Sequence, residues 1–430
     1  MTKLREYIFE VNDRVGDIND IEVFGVNNQT GIEVSWRKVS EDLSPYKIIR
    51  KNCFAYNPYR VNIWSIWLFT WELWAVSPAY IVFKVDENKI IPELLLQFLK
   101  SSEWLFQINK NTHGWVRKAL SFKELWNIDV NFWLIENQKI LFAKWQNMQK
   151  EFNWYDKIVF DSLNYIKSLR ESILSDAIQG KLVPQDPTDE PASVLLQKIQ
   201  AEKEQLIADK KIKKPKPLAP IRDDEKPFEL PKGWEWVRLG EITRIISWYS
   251  FNSNDFWINN WVKCIKITNA WVGKIIETND TLPIEYLKKY NQFLVKEWDL
   301  ILALTRPYIA DGLKVSLCDS WYNNSLLNQR VCLIRAFLNL NKIYLFILLR
   351  SEYILNIYKS RFEKMNLQPN LKINDVSELL IPLPPLTEQH CIVAKVDELM
   401  TLCDQLEARV TDAQQQGKLL MESVLSEVMG

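Results

Sequence analysis

Eight polar side chains sit in short segments between strand-like runs: Asn57, Arg60, Arg117 and Lys118 early in the chain, Arg306, Asn328, Gln329 and Arg330 late. Their types suit recognition of nucleic-acid bases, where arginine offers two donors to guanine and asparagine or glutamine offers a donor and an acceptor to adenine. The same groups also serve phosphate contacts and structural ion pairs. Arg330, which leads into the apolar run VCLI, reads equally well as structural. Catalytic chemistry is harder to find. The chain has two histidines, His113 before Gly114 and His390 near the start of a helical stretch, and both read as surface residues. No H-E-x-x-H pair, P-loop or metal-ligand cluster is present. The six cysteines lack C-x-x-C spacing, which points to reduced, structural thiols in a cytosolic protein.

What must position these residues is set by the stretch Leu386–Val428. Its apolar residues Ile392, Val396, Leu399, Cys403, Leu406, Val410, Ala413, Leu420 and Val424 alternate steps of four and three until Gly417 interrupts them, the pattern of a coiled-coil seam. Moving back 251 positions gives Leu141, Trp145, Met148, Phe152, Tyr155, Val159, Ser162, Leu169 and Ile173, a second stripe. Identities hold the register: Gln138 with Gln389, Ala143 with Ala394, Lys144 with Lys395, Glu171 with Glu422. Upstream, Phe122, Leu125, Ile128, Val130 and Phe132 align with Ile373, Val376, Leu379, Ile381 and Leu383, and Leu120–Gln179 needs no insertion. The chain is therefore an internal duplication of a domain and a long helix. The expected helix-pair and partner surface is Leu141, Met148, Phe152, Tyr155, Val159 and Leu169 with Ile392, Val396, Leu399, Leu406, Val410 and Leu420.

The expected fold class is α+β, with two similar domains separated by two long helices that form an antiparallel coiled coil. The boundaries read as a first domain at 1–133, a first long helix at 134–180, a linker at 181–230, a second domain at 231–383 and a second long helix at 384–430. Within the linker, Ala192–Asp209 reads as a short helix and KKIKKPKPLAPIRDDEKP as a charged, proline-rich tether. Net charge is zero, but residues 231–383 carry 19 basic and 14 acidic residues while 384–430 carry 3 and 8. A modestly basic lobe beside an acidic helix suits contact with phosphates through the lobe and with proteins through the helix. The charged opening MTKLREYIFEVNDR does not read as a signal peptide, and the longest apolar run holds Glu72 and Pro78, so no membrane span is expected. Two lobes on a rigid spacer suit two half-sites: a 37-residue helix spans about 55 Å, and half-sites on one DNA face lie about 34–36 Å apart.

Composition holds one anomaly. There are 11 glycines and 19 tryptophans in 430 residues, where glycine alone ordinarily reaches about 7%. Trp64, Trp67, Trp71 and Trp74 crowd a stretch of short strands and turns, and Trp298 and Trp321 occupy turn positions that favour φ > 0. The expectation is that most tryptophans stand for glycine through reassigned UGA codons, with Trp234 and Trp236 genuine.

The segments LPKGWEWVRLGEI (230–242), LLNQRVCLIR (326–335), LLIPLPPLTEQHCIVAKVDEL (379–399) and ILSDAIQGKLVPQ (173–185) resemble the specificity subunits of type I restriction-modification systems. FAYNPYRVNI (54–63), VSPAYIVFKV (76–85) and VRKALSFKEL (116–125) extend the resemblance over nearly the whole chain. It implies two target-recognition domains that read a bipartite, asymmetric site on double-stranded DNA. It also implies two modification subunits bound at the helices and separate restriction/translocase subunits, with S-adenosylmethionine, ATP and Mg held by those partners. The chain itself is expected to be non-catalytic, cytoplasmic and without a cofactor or metal. Asn57-Pro58-Tyr59 resembles the Asn-Pro-Pro-Tyr tetrapeptide of adenine methyltransferases, but the second proline and a glycine-rich cofactor loop are missing. The alternatives are an adenine methyltransferase in its own right, which would bind S-adenosylmethionine, and a coiled-coil scaffold, which would retard no duplex.

Overall fold

The computed structural model describes the chain apart from residues 1, 19–20, 28–30, 35–40, 60–64, 102–103, 105–118, 257–260, 278, 338, 364–368 and 430. It divides into two compact units, Met1–Asp161 with Val410–Gly430, and Ser162–Arg409.

The first unit is built on short strands: β1 (Ile8–Glu10), β2 (Val23–Asn27), β3 (Gly31–Val34), β4 (Lys47–Arg50), β5 (Cys53–Tyr56), β6 (Ile66–Leu68), β7 (Leu73–Val76) and β8 (Ile81–Val85). One antiparallel sheet runs in the order β1-β8-β5-β6; a second runs β3-β2-β7-β4, with β2 and β7 parallel. β5, wholly buried, is the apolar centre of the first sheet, where Phe54 stacks on Phe83 of β8. Helix α1 (Pro92–Phe98) starts with proline at its first position, where the missing N–H costs nothing, and sinks Leu94, Leu95 and Phe98 into the core. Helix α2 (Phe122–Trp126) opens with a Ser121–Glu124 capping box. Helix α3 (Ile135–Ile178) follows.

The second unit contains α4 (Ala192–Ala208), β9 (Glu235–Arg238), β10 (Thr243–Ile246), β11 (Leu300–Ala303), β12 (Val315–Leu317), β13 (Val331–Ala336), α5 (Lys342–Leu349), α6 (Ile373–Ser377), β14 (Leu380–Leu383) and α7 (Leu386–Met429). Its antiparallel sheet has the order β10-β13-β11-β12, which repeats strand for strand the β1-β8-β5-β6 sheet of the first unit. Each long helix is shared by the two units: α3 from Ser162 onward belongs to the second, and α7 from Val410 onward belongs to the first. The duplication is visible in element bounds. α2 plus 251 is α6, and α3 plus 251 is α7, each long helix being 44 residues.

Two buried glutamines show why the duplicated register is kept. Gln138 is fully buried in the first turn of α3; its carboxamide oxygen accepts from the Ile91 N–H at 3.1 Å, and its amide donates to the Trp133 and Lys89 carbonyls at 2.7 and 2.9 Å. Gln389 does the same in α7, accepting from Asn341 N–H and donating to the Pro384 carbonyl, both at 3.0 Å. Each ties a long helix to the start of the helix that follows the main sheet of its own lobe, α1 or α5.

The helix seam differs from the sequence expectation in detail. Every seventh residue is inward: Gln138, Trp145, Phe152, Val159, Ile166 and Ile173 on α3, and Gln389, Val396, Cys403, Val410, Gly417 and Val424 on α7, all buried or half-buried. Ile166 was absent from the expected stripe, and Gly417 does not interrupt it. A side chain at Gly417 would meet the rings of Phe152 and Tyr155 at 3.1 Å, so glycine lets these rings pack on the α7 backbone. Of the expected surface, Val159, Ile392 and Val396 are buried and Leu141, Met148, Phe152, Tyr155, Leu169, Leu399 and Val410 are half-buried. Leu406 and Leu420, named for the helix-pair or partner surface, are 46% and 59% exposed and lie outside the seam itself. Near Leu406 the contact is ionic, with Arg170 bridging Asp404 and Glu407 at 2.6 Å each. Near Leu420, Met421 and Val424 take the inward places, packing with Leu94, Phe142 and Trp145.

The linker is also more built than a tether. Ala192, Leu195 and Ile199 of α4 are buried in the second unit's core with Val237, Leu239 and Ile242. The proline-rich stretch beyond is held by Arg238, 6% exposed, which donates to the carbonyls of Ala219, Pro220 and Glu378 and pairs with Glu225. A buried guanidinium with acceptors all round is satisfied where an unpaired one would not be tolerated.

Candidate nucleic-acid interface

In the second lobe, β11 and β13 are antiparallel neighbours, pairing Ala303 with Val331. Just beyond that pair, the Leu304 N–H donates to the Arg330 carbonyl at 2.8 Å. Arg306 and Arg330 are thus brought to one end of the sheet although 24 positions apart. Both are exposed and both have left-handed backbones, φ 48° and 68°. Lys314 joins them because the Ala303 N–H donates to its carbonyl at 3.0 Å. The three cations line one groove with Thr268, Trp271, Thr305 and Asn370, and among the described residues no carboxylate lines it. Burial, and then the neighbouring Arg306 charge, hold the Lys314 ammonium below the ordinary lysine range. A groove lined by three cations attracts an anion or the acceptor edge of a base.

The neighbouring candidates are used differently. Asn328 is 4% exposed; its carboxamide oxygen faces the Phe251 N–H at 3.4 Å and its own N–H donates to Ile265, so it braces the loop before β13. Gln329 is exposed beside Arg330. In the first lobe, Asn57 closes a turn: its side-chain oxygen accepts from the Tyr59 N–H at 3.0 Å, and its backbone N–H donates to Ser65 at 3.1 Å. The Leu120 N–H donates to the Pro58 carbonyl at 3.0 Å, which brings the segment after Lys118 against the Asn57 turn. Arg60, Arg117 and Lys118, and also His113, lie outside the described residues. His390 faces the Asn341 side chain at 3.1 Å.

Sequence reasoning missed Lys314 and the threonines beside it. Lys314 follows the pair Gly312–Leu313, and only strand pairing places it opposite Arg306. It also missed Glu388, 4% exposed, which accepts from the Trp234 indole at 2.7 Å and from Gln185 at 2.6 Å. Burial raises its carboxyl above the ordinary range, with those two hydrogen bonds acting the other way. Among the described residues, no helix is long and apolar enough to cross a membrane.

Residues 231–413 match the family described as the type I restriction modification DNA specificity domain. Over 283 residues the chain is 35% identical to the EcoAI specificity subunit of a type I restriction enzyme from Escherichia coli, covering 65% of this chain and 47% of that protein. It is 36% identical over 262 residues to the EcoEI specificity subunit from the same organism, covering 61% of this chain and 43% of the relative. The chain thus spans about half the length of these curated relatives. Among solved structures, one of a type I R-M system, concerned with complex assembly and conformational transition, superposes with a TM-score of 0.71 at 16% identity, covering 100% of this chain and 96% of that one. The HsdS subunit from Thermoanaerobacter tengcongensis superposes at 0.55 and 16%, covering 100% and 95%. At such identity these likenesses establish the fold.

Proposed function

We propose that the chain, whose residues 231–413 match the type I restriction modification DNA specificity domain and which is similar to type I specificity subunits, is the DNA-reading subunit of such a complex. Residues 1–133 and 231–383 are the two target-recognition domains, each reading one half of a bipartite, asymmetric site in double-stranded DNA. The helices at 134–180 and 384–430 hold the domains and receive two modification subunits. Those partners supply S-adenosylmethionine and the adenine methylation, and restriction/translocase subunits supply ATP-driven cleavage. The chain acts in the cytoplasm and performs no chemistry of its own.

The observation that carries this reading is the groove of Arg306, Lys314 and Arg330, which lies inside the matched domain and, among the described residues, is lined by no carboxylate. Arginine there offers paired donors to guanine O6 and N7, and Lys314 offers a charge to phosphate. The test is co-expression with a type I modification subunit from the same source, followed by mapping of methylated adenines. A split motif, two short blocks around a fixed gap, is expected. A continuous motif would mean that one lobe alone reads DNA. A stable complex that methylates nothing would overturn the reading.

A further inference from the structure

Tryptophan is among the more buried side chains on average, yet Trp71, Trp154, Trp261, Trp298 and Trp321 are between 44% and 85% exposed. Trp298 has φ 71°, far from where a bulky residue sits without strain. Its turn is closed by the Asp299 N–H donating to the Lys296 carbonyl at 3.1 Å. Trp298 is the third residue, the position that takes positive φ in a type II turn and that glycine fills freely. In the first lobe the Trp74 ring lies 3.6 Å from that of Phe24 and 4.4 Å from that of Trp71, whereas relaxed aromatic pairs stand about 4.5–7 Å apart. Trp104 is fully buried with an indole nitrogen that finds no acceptor among the described residues. Trp234 is the contrast: 5% exposed, with its indole donating to Glu388 at 2.7 Å.

A second pattern accompanies these misfits. Three lysines are covered by indole rings: Lys100 by Trp67 and Lys263 by Trp321, each 3.1 Å from the ring centre, and Lys314 by Trp271 at 5.1 Å. Lys263 has a buried ammonium without a hydrogen-bond acceptor among the described residues, and the Trp321 indole donates to Glu277 at 3.0 Å on the surface beside it. Burial lowers all three ammoniums, that of Lys100 to about 8.

We propose that residues 67, 71, 74, 271, 298 and 321 are glycine in the protein as its source makes it, encoded by UGA read as glycine, and that Lys314, in the cationic groove under Trp271, thereby stands open to a DNA phosphate. The first half rests on composition, on the backbone at Trp298 and on the ring exposure and crowding described above; the second rests on the DNA-reading function proposed above. With glycine at 298 the turn is unstrained, and with glycine at 271 one wall of the cationic groove is removed.

Peptide mass spectrometry of the protein from its source tests the first half. Glycine masses at the six positions, with tryptophan at 234, are expected; tryptophan masses at 298 and its companions overturn it. For the second half, the complex with the modification subunit is prepared in two forms, with the six tryptophans and with six glycines. Its affinity for the mapped duplex is then measured across salt concentration. The glycine form is expected to show a slope of log K against log salt steeper by about 0.9 for the phosphate that Lys314 gains. Equal slopes overturn the lysine assignment, whereas failure of the DNA-reading function itself would appear separately, as an empty methylation map.

Discussion

At Arg306 and Arg330 the backbone is held at φ 48° and 68° on either side of one strand pair. Such conformations cost energy in non-glycine residues and persist where the surroundings impose them, often at ligand sites. Here the restraint is the hydrogen bonding around the β11–β13 end: Arg306 N–H to Pro369 at 2.9 Å and Leu371 N–H to Leu304 at 2.7 Å. Replacing Arg330 with alanine is expected to weaken binding of the mapped duplex by about 1–3 kcal/mol and to relax base preference in one half-site only. Fluorescence anisotropy with single-base variants of the site reads both effects, and unchanged affinity would remove Arg330 from the interface. With glycine at 271, Lys314→Ala should instead weaken all sequences alike and reduce the salt slope by about one. Glu388 gives a prediction in pH. Burial raises its carboxyl, so the folded chain holds that proton more tightly than the unfolded chain does. The stabilisation from protonation is fully present below the unfolded value of about 4.3 and is lost as pH rises through the folded value. Melting temperatures across that window should therefore fall less steeply with pH in Glu388→Gln than in the parent; parallel profiles would refute the assignment.

The long helices are held by different chemistry along their length. At Val396, 5% exposed, the seam is apolar, and a buried unpaired carboxylate there would cost several kcal/mol. At Leu406, 46% exposed, the side chain is beside an ion pair rather than in the seam. Val396→Asp is thus expected to lower the denaturant midpoint strongly, while Leu406→Asp shifts stability by less than about 1 kcal/mol. Equal losses in the two variants would contradict the seam as placed. That Leu406 and Leu420 stand outside the seam has a plain cause. A four-three apolar pattern identifies a stripe, but the register that packs is fixed by partners, and Arg170, Phe152 and Tyr155 lie more than 230 positions away in sequence.

On the scale of the whole molecule, the unit Ser162–Arg409 includes α4, whose Leu195 and Ile199 are 3% and 1% exposed. Each such side chain contributes about 1.5–3 kcal/mol by burial. A fragment of residues 162–409 is therefore expected to unfold cooperatively, whereas one beginning at 231 leaves an apolar face uncovered and should melt lower or aggregate. A fragment from 231 that melts as high as the longer one would show α4 to be dispensable. The same packing bears on domain exchange: a recognition lobe transplanted with its α4 segment should move one half-site and leave the other in place.

Repetition is what the sequence determined by itself. A constant 251-residue offset, carried by Gln138 and Gln389 and by matched apolar positions, placed both long helices and the repeated segment before each, because amphipathic period and duplication are local properties. Candidate base-reading residues could be chosen by type, and for Arg306 and Arg330 the chosen pair does meet at one sheet end. The tertiary structure alone decided that Lys314 joins them, that Asn328 turns inward, that the proline-rich stretch is clasped by Arg238 and that Gly417 belongs to the seam. Each of these depends on a strand pairing or a helix contact between distant segments, and burial is a property of the assembled neighbours rather than of the residue.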